Sequence, residues 1–291
     1  MTQVLQYTVN GISVGAIYAV VALGLALVYG GLRIPNFAHG AFVMVGAYFT
    51  YTVVADWGVN YWLAIPIVIV VMGAVGAVQE VAWFRVVRNS NTLVLILVSF
   101  ALYLLIQSIY VVEHGSEVSR SLRFPLTGYL NWGGVRITYQ RLVVIATAIV
   151  VVLVMGYVLN RTRMGREIRA VAEDPDAASL SGVNVSRIHT WVFVVSTSLA
   201  GIGGLLLASL FPIQPSLGEN ELLKAFAIII VAGKGNNTGL VAVAFALGVA
   251  ESLATGYLSS AVLAQGLAFL ILAVALLIRP QGLAADPRTT G

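Results

Sequence analysis

Glu251 is a lone carboxylate inside an apolar run, Leu240 to Leu258. Ionisable groups within a bilayer are costly and tend to be functional, so Glu251 is a candidate for lining a polar path. The competing reading is a hydrogen bond between packed helices. Asn10 and Tyr18, at the start and middle of the first apolar run, are candidates of the same kind. Asn36, His39 and Gly40 form a second group, in the polar break RIPNFAHG after that run. Backbone N–H groups at a helix start there would suit an anionic carboxylate. Locally, a tight turn on the cytoplasmic side is the simpler reading, with Pro35 ending one element and Asn36 capping the next. Other chemistries are excluded. There is no cysteine, and His39, His114 and His189 are far apart with no H-E-x-x-H pattern, so no metal site is expected. The lysines are Lys224 and Lys234. Gly233-Lys234-Gly235 lacks the Ser or Thr of a P-loop, so this chain does not bind ATP by that device.

Such residues need a membrane-spanning scaffold, and the composition supplies one. Of 291 residues, 59% are hydrophobic and 10% charged, against about 25% charged in a soluble domain. Mean hydropathy is +0.93. A bilayer core needs roughly 20 apolar residues per helix. Apolar runs occupy Gly11 to Leu32, Ala41 to Ala55, Leu63 to Val78, Leu93 to Val112, Leu142 to Leu159, Thr190 to Phe211, Leu240 to Leu258 and Ala261 to Ile278. Ala225 to Gly233 is apolar but short, and either crosses or re-enters. The fold class is all-α, a polytopic bundle of about 8–10 segments with interrupted helices. Glycine-bearing breaks at Gly30 to Gly40 and Gly233 to Gly239 hint at two matching interruptions. Gly11-x-x-x-Gly15, Ala200-x-x-x-Gly204 and Gly235-x-x-x-Gly239 are spacings that let helices approach closely.

If every segment crosses, one side collects Arg33, Arg85, Arg88, Arg161, Arg163, Arg166, Arg169, Arg187, Lys234, Arg279 and Arg288. The other collects Arg120, Arg123, Arg136, Arg141 and Lys224. The richer side is cytoplasmic, which puts the N-terminus outside. Trp57, Trp62, Trp83, Trp132 and Trp191 lie near segment ends, where interfacial anchors are expected.

The segment 160–188 is the charged cytoplasmic loop, and 113–140 the long extracytoplasmic one. Within the first, Asp174 can cap a helix that begins at Pro175. Asp176 suits its positive end, and Gly182 is a natural residue to end it. A two-turn helix is marginal alone, so Asp174–Gly182 is either a connector packed on its own protein or a helix that docks against a partner.

Asp176-Ala177-Ala178-x-x-x-Gly182 resembles the E-A-A-x-x-x-G motif of ABC importer permeases, with Asp for Glu. Three longer stretches are similar to the branched-chain amino acid permeases, most of all the shorter of their two permease subunits. They are YGGLRIPNFAHGAFVMVGAY (Tyr29 to Tyr48), RTRMGREIRAVAEDPDAASLSGVN (Arg161 to Asn184) and LLIRPQGL (Leu276 to Leu283). The resemblance runs from about Asn10 to Leu283. It departs at His189-Thr190, where the family motif ends Ile-x-Leu-Pro, and at the more polar GKGNNTG. The resemblance implies one permease domain over 1–291 in the bacterial inner membrane, moving branched-chain or other hydrophobic amino acids. It implies that Asp174, Pro175, Asp176, Ala177, Ala178 and Gly182 couple to an ATPase. It also implies a second related permease, two ATP-binding subunits and an external binding protein as partners, with no catalysis or cofactor in this chain. The alternative is a stand-alone secondary carrier or channel for a small polar solute, urea and short amides included.

Overall fold

The computed structural model describes residues 2–32, 34–88, 90–115, 119–233 and 235–258, and isolated positions 263, 266, 269, 270, 273, 274 and 277. Arg33, Lys234, Arg279 and Arg288 lie outside the described residues, as do most of the expected segment from Ala261 to Ile278 and of the Leu276 to Leu283 stretch.

Proline-free sequence from Thr2 to Leu32 forms one helix, α1, about 46 Å long at 1.5 Å per residue. It is apolar on all sides and mostly buried, as is α9 (Val185–Leu210). A helix that is hydrophobic all round belongs inside a bundle, and these two form the centre. Around them stand α2 (Ala38–Tyr51), α3 (Tyr61–Gln79), α5 (Thr92–His114), α6 (Tyr139–Arg161), α10 (Leu217–Ala232) and α11 (Asn237–Leu258). α11 packs along α1, while α2 and α3 pack along α9. α2 runs on through a π-helical turn, Thr52–Asp56. α3 ends in another, Glu80–Phe84, followed by the short α4 (Arg85–Val87). α3, α5 and α6 turn large aliphatic residues such as Val70, Leu105 and Leu153 outward, as lipid contact requires. All five tryptophans are exposed, consistent with anchoring at the interfaces.

Seven helices are long and apolar enough to cross a membrane, among the described residues. α10 has 16 residues, about 24 Å of helix. It begins beside Gly40 of α2 and ends beside the C-terminal end of α1, so it runs from within the bundle to the inner side. Ala225 to Gly233 therefore forms the second half and C-cap of α10. The first half is hidden in the sequence because Glu219, Asn220, Glu221 and Lys224 read as loop. Lys224 accordingly leaves the external set of charges, and Arg141 belongs to the first turn of α6. The first of these sharpens the charge asymmetry that orients the chain.

The spacing Gly11-x-x-x-Gly15 faces α11. A Cβ on Gly15 would lie 2.7 Å from the Phe245 Cα, and one on Gly11 2.5 Å from the Val249 Cα. Gly204 meets α2 at the Val43 carbonyl in the same way. Gly235, by contrast, sits in a turn with φ +79°, so Gly235-x-x-x-Gly239 is not a helix-packing stripe. Gly15→Leu is expected to force α1 and α11 apart at a cost of about 1–3 kcal/mol, read as a lower unfolding temperature of the detergent-purified protein.

The polar break after α1 is not a surface turn. His39 Nε2 lies 3.0 Å from the Val21 carbonyl and Ser99 donates to the Pro35 carbonyl at 3.2 Å. Val21 is 11 residues before the end of α1, about 16 Å along it. The chain therefore folds back into the bundle, and α2 begins at mid-depth. Phe37 and not Asn36 occupies the cap position. Asn36 is 1% exposed and its Oδ1 has no hydrogen-bond partner among the described residues. Irregular backbone at this depth is tolerated only when protein encloses it. Here Phe37 packs on Phe100 and Phe226.

On the outer side, β1 (Tyr129–Trp132) and β2 (Val135–Thr138) form an antiparallel hairpin. Gly133 and Gly134 turn it with φ of +59° and +86°, as a two-residue turn demands. Gln6 on α1 clamps the hairpin with two bonds to the Arg136 backbone, at 2.8 and 2.9 Å. Arg120 pairs its backbone with Ile213 and lies 5.2 Å from the Tyr51 ring centroid. Arg120 and Arg136 thus help to fix the outer cap.

Candidate functional site

Three helices deliver one buried polar cluster. α1 contributes Tyr18 and α11 contributes Glu251. α10 contributes Glu221 and Lys224, three residues apart and hence on one face. Lys224 Nζ donates to the Tyr18 hydroxyl at 2.5 Å and to Glu251 Oε1 at 2.9 Å. The Tyr18 hydroxyl donates to Glu251 Oε2 at 2.6 Å. Glu221 Oε1 lies 3.6 Å from the lysine. Lys224 also sits 4.7 Å from the Tyr18 ring centroid. Glu221 and Lys224 are each 7% exposed. A buried charge persists only when paired and hydrogen-bonded, and here one ammonium serves two carboxylates. Glu251 is satisfied at both oxygens, whereas Glu221 Oε2 has no hydrogen-bond partner among the described residues.

This cluster borders a cavity of about 620 Å³ that reaches outward past Asn10, Arg141, Ser119 and Pro212. A second cavity, about 430 Å³, lies at the other end of α1. Tyr29, Gly30, Asn160, Gly233, Asn236 and Asn237 are among its walls. α1, α10 and α11 line both. Between them the three helices close on one another through Leu25, Ala225, Ile228, Ala244 and Leu247, all buried. Tyr18 and Ala26 mark the two sides of this closure on α1, eight residues or about 12 Å apart. The arrangement is that of two half-channels facing opposite membrane surfaces, separated by a thin apolar layer.

Of the residues singled out from the sequence, Asn10, Tyr18 and Glu251 meet at the outer cavity. Asn36, His39 and Gly40 border neither cavity. His39 is enclosed by α1 and α9, with Ser196 3.4 Å from its Nδ1, and Gly40 abuts Gly218 of α10. In the sequence, Glu221, Lys224 and Arg141 read as members of external loops. The one signal pointing elsewhere is the spacing Glu221-x-x-Lys224 directly before an apolar run too short to cross alone. The connection before α10 is short, because Leu217, Gly218 and Glu221 are already buried in that helix.

On the cytoplasmic side, α7 (Arg163–Glu173) and α8 (Pro175–Leu180) fill the charged loop. Thr162 caps α7 through Gly165 N at 3.2 Å. Asp174 Oδ1 accepts from Asp176 N at 2.9 Å and Ala177 N at 3.0 Å, with Pro175 in the first turn. Gly182 N donates to the Ser179 carbonyl and Val183 N to the Ala178 carbonyl, the paired bonds of a glycine-terminated helix. Gly182 takes φ +84°, which favours glycine. Ala178 is 5% exposed, turned onto the protein, while Leu180 is 91% exposed. The rest of α8 faces water.

The family model described as "Branched-chain amino acid transport system / permease component" matches residues 7–278. The chain is 30% identical to the high-affinity branched-chain amino acid transport system permease protein LivH of Escherichia coli K12, over 97% of this chain and 96% of that protein. It is 29% identical to the corresponding protein BraD of Pseudomonas aeruginosa, again over 97% and 96%. Among solved structures, PsaBC from Streptococcus pneumoniae in complex with Fab is similar at TM-score 0.52 and 12% identity, covering 96% of this chain and 91% of that one. At that identity the likeness is one of fold.

Proposed function

This chain belongs to the branched-chain amino acid transport system permease family, and from that premise we propose that it is one permease subunit of an ABC importer for branched-chain or other hydrophobic amino acids in the bacterial inner membrane. A second, related permease completes the pore, and two cytoplasmic ATP-binding subunits supply the energy. An external binding protein delivers the solute. This chain itself performs no catalysis and carries no cofactor.

The observation that carries the reading is the pair of cavities on α1, α10 and α11, open toward opposite surfaces and separated by about two helical turns. A rocking motion that opens one side while closing the other needs only small shifts of these helices, of which α1 and α11 touch through Gly11, Gly15 and Gly248. The apolar layer between Leu25, Ile228 and Leu247 blocks leakage, and the Tyr18–Lys224–Glu251 contacts tie the three helices at the floor of the outer cavity. α8 supports the coupling role of Asp174–Gly182. A six-residue helix held by its own caps and by Ala178, with Leu180 projecting into water, is a knob suited to an apolar pocket on an ATPase. The outer hairpin, with Trp132 exposed, offers a surface to the binding protein.

Reconstitution tests this. Proteoliposomes holding this chain with its partner subunits are expected to import labelled leucine only when ATP and the binding protein are present. Transport by this chain alone, driven by an ion gradient and indifferent to ATP, would establish a secondary carrier instead.

A further inference from the structure

We propose that the outer cavity is itself a binding site for an α-amino acid zwitterion, with Glu221 receiving the ammonium and Arg141 the carboxylate. The proposal rests on the amino acid reading above and extends it, since an importer needs no selective site in its permease when a binding protein selects the solute.

Two charged groups with unused bonding capacity border the same cavity. Glu221 is 7% exposed, and its Oε2 is a buried acceptor without a donor among the described residues. Leaving such an atom unpaired is costly, and the neighbouring ammonium is already bonded to Tyr18 and Glu251. The two carboxylates around Lys224 leave this wall with room for one more cation. Arg141 presents the opposite charge. Its Nη1 reaches only the Asn10 carbonyl, at 3.3 Å, and among the described residues no carboxylate lies within ion-pair distance of it. A guanidinium fork is matched to a carboxylate. Val14, Leu207 and Leu217 supply an apolar wall between polar groups, suited to an aliphatic side chain. The volume, about 620 Å³, falls in the usual range of small-molecule sites. A monovalent amine or a monovalent acid would satisfy one charge and strand the other. The cavity therefore discriminates for molecules that carry both.

The test is calorimetry on the full-length chain, purified in detergent with the subunits that co-purify and without binding protein. The probes are L-leucine, 4-methylpentanoate, which lacks the ammonium, and 3-methylbutylamine, which lacks the carboxylate. Leucine is expected to bind at least about tenfold more tightly than either analogue, as loss of one charge-assisted hydrogen bond implies. Glu221→Gln should lower leucine to the level of 4-methylpentanoate and leave that acid's binding unchanged. Arg141→Gln should lower leucine to the level of the amine. Glu221→Asp and Arg141→Lys keep the charges and should recover part of the preference, which guards against a mere folding defect. Equal binding of all three probes to the wild-type protein overturns the proposal. So does absence of leucine binding in a preparation that still imports leucine with its binding protein, which leaves the importer reading intact. Failure of that preparation to import any amino acid would instead remove the importer reading and this site with it.

Discussion

Lys224→Met is expected to destabilise the protein by about 3–5 kcal/mol, the usual cost of breaking a buried ion pair and stranding its partners. The size follows from the geometry. Lys224 supplies one bond to Glu251, another to the Tyr18 hydroxyl, and the only ammonium near Glu221 among the described residues. Methionine fills the space but leaves the two carboxylates, on α10 and α11, without the ammonium between them. Glu251→Gln should cost clearly less, because Lys224 then keeps Glu221 and the amide still accepts from it. In the double variant the two effects should not add, since residues in one network couple. Thermal unfolding of the four proteins in one detergent checks this. Equal losses for the two single variants, with simple additivity in the double, would mean that the contacts at Tyr18, Lys224 and Glu251 contribute little.

Leu180→Arg is expected to separate the permease from its ATPase while leaving the permease folded. Leu180 is 91% exposed, and exposed substitutions usually change stability by no more than about 0.5 kcal/mol. Removing a central apolar side chain from an interface costs about 2 kcal/mol or more, roughly 30-fold in affinity. Co-purification of the ATPase should fall accordingly, and ATP-driven uptake with it, at unchanged membrane level. Ala178 and Gly182 are poorer probes for the same role. A charge at the buried Ala178 would disturb the packing of α8 on its own protein, and any side chain at Gly182 strains φ +84°. Normal ATPase recovery with Leu180→Arg would return α8 to the status of a connector.

The features legible in the sequence are those set by local chemistry. Asp174, Pro175 and Gly182 announce both ends of α8, because capping acts within four residues. Apolar runs announce seven helices long and apolar enough to cross, because the bilayer fixes the length required. Lys224 is illegible for the opposite reason. Its partner Glu251 is 27 residues away on another helix, and nothing within α10 shows that a lysine there is paired rather than solvated. The break at Asn36 to Gly40 carries every local sign of a surface turn, but those signs do not encode depth. Ser99 and Phe226, far away in the chain, hold it inside. The hairpin could have been found, since Gly133-Gly134 stands between Tyr-Leu-Asn-Trp and Val-Arg-Ile-Thr.

The absence of cysteine from the chain makes alternating access directly measurable. Single cysteines at Thr255, on the outer cavity, and at Asn237, on the inner one, report each side by their reaction with a membrane-impermeant thiol reagent. In proteoliposomes holding the complete transporter, the reagent would be added from the side each cavity faces, with and without trapped ATP. The two rates are expected to move in opposite directions when ATP is trapped. Reactivity that rises or falls at both positions together, or that ignores ATP, would contradict a path through α1, α10 and α11 that opens to one side at a time.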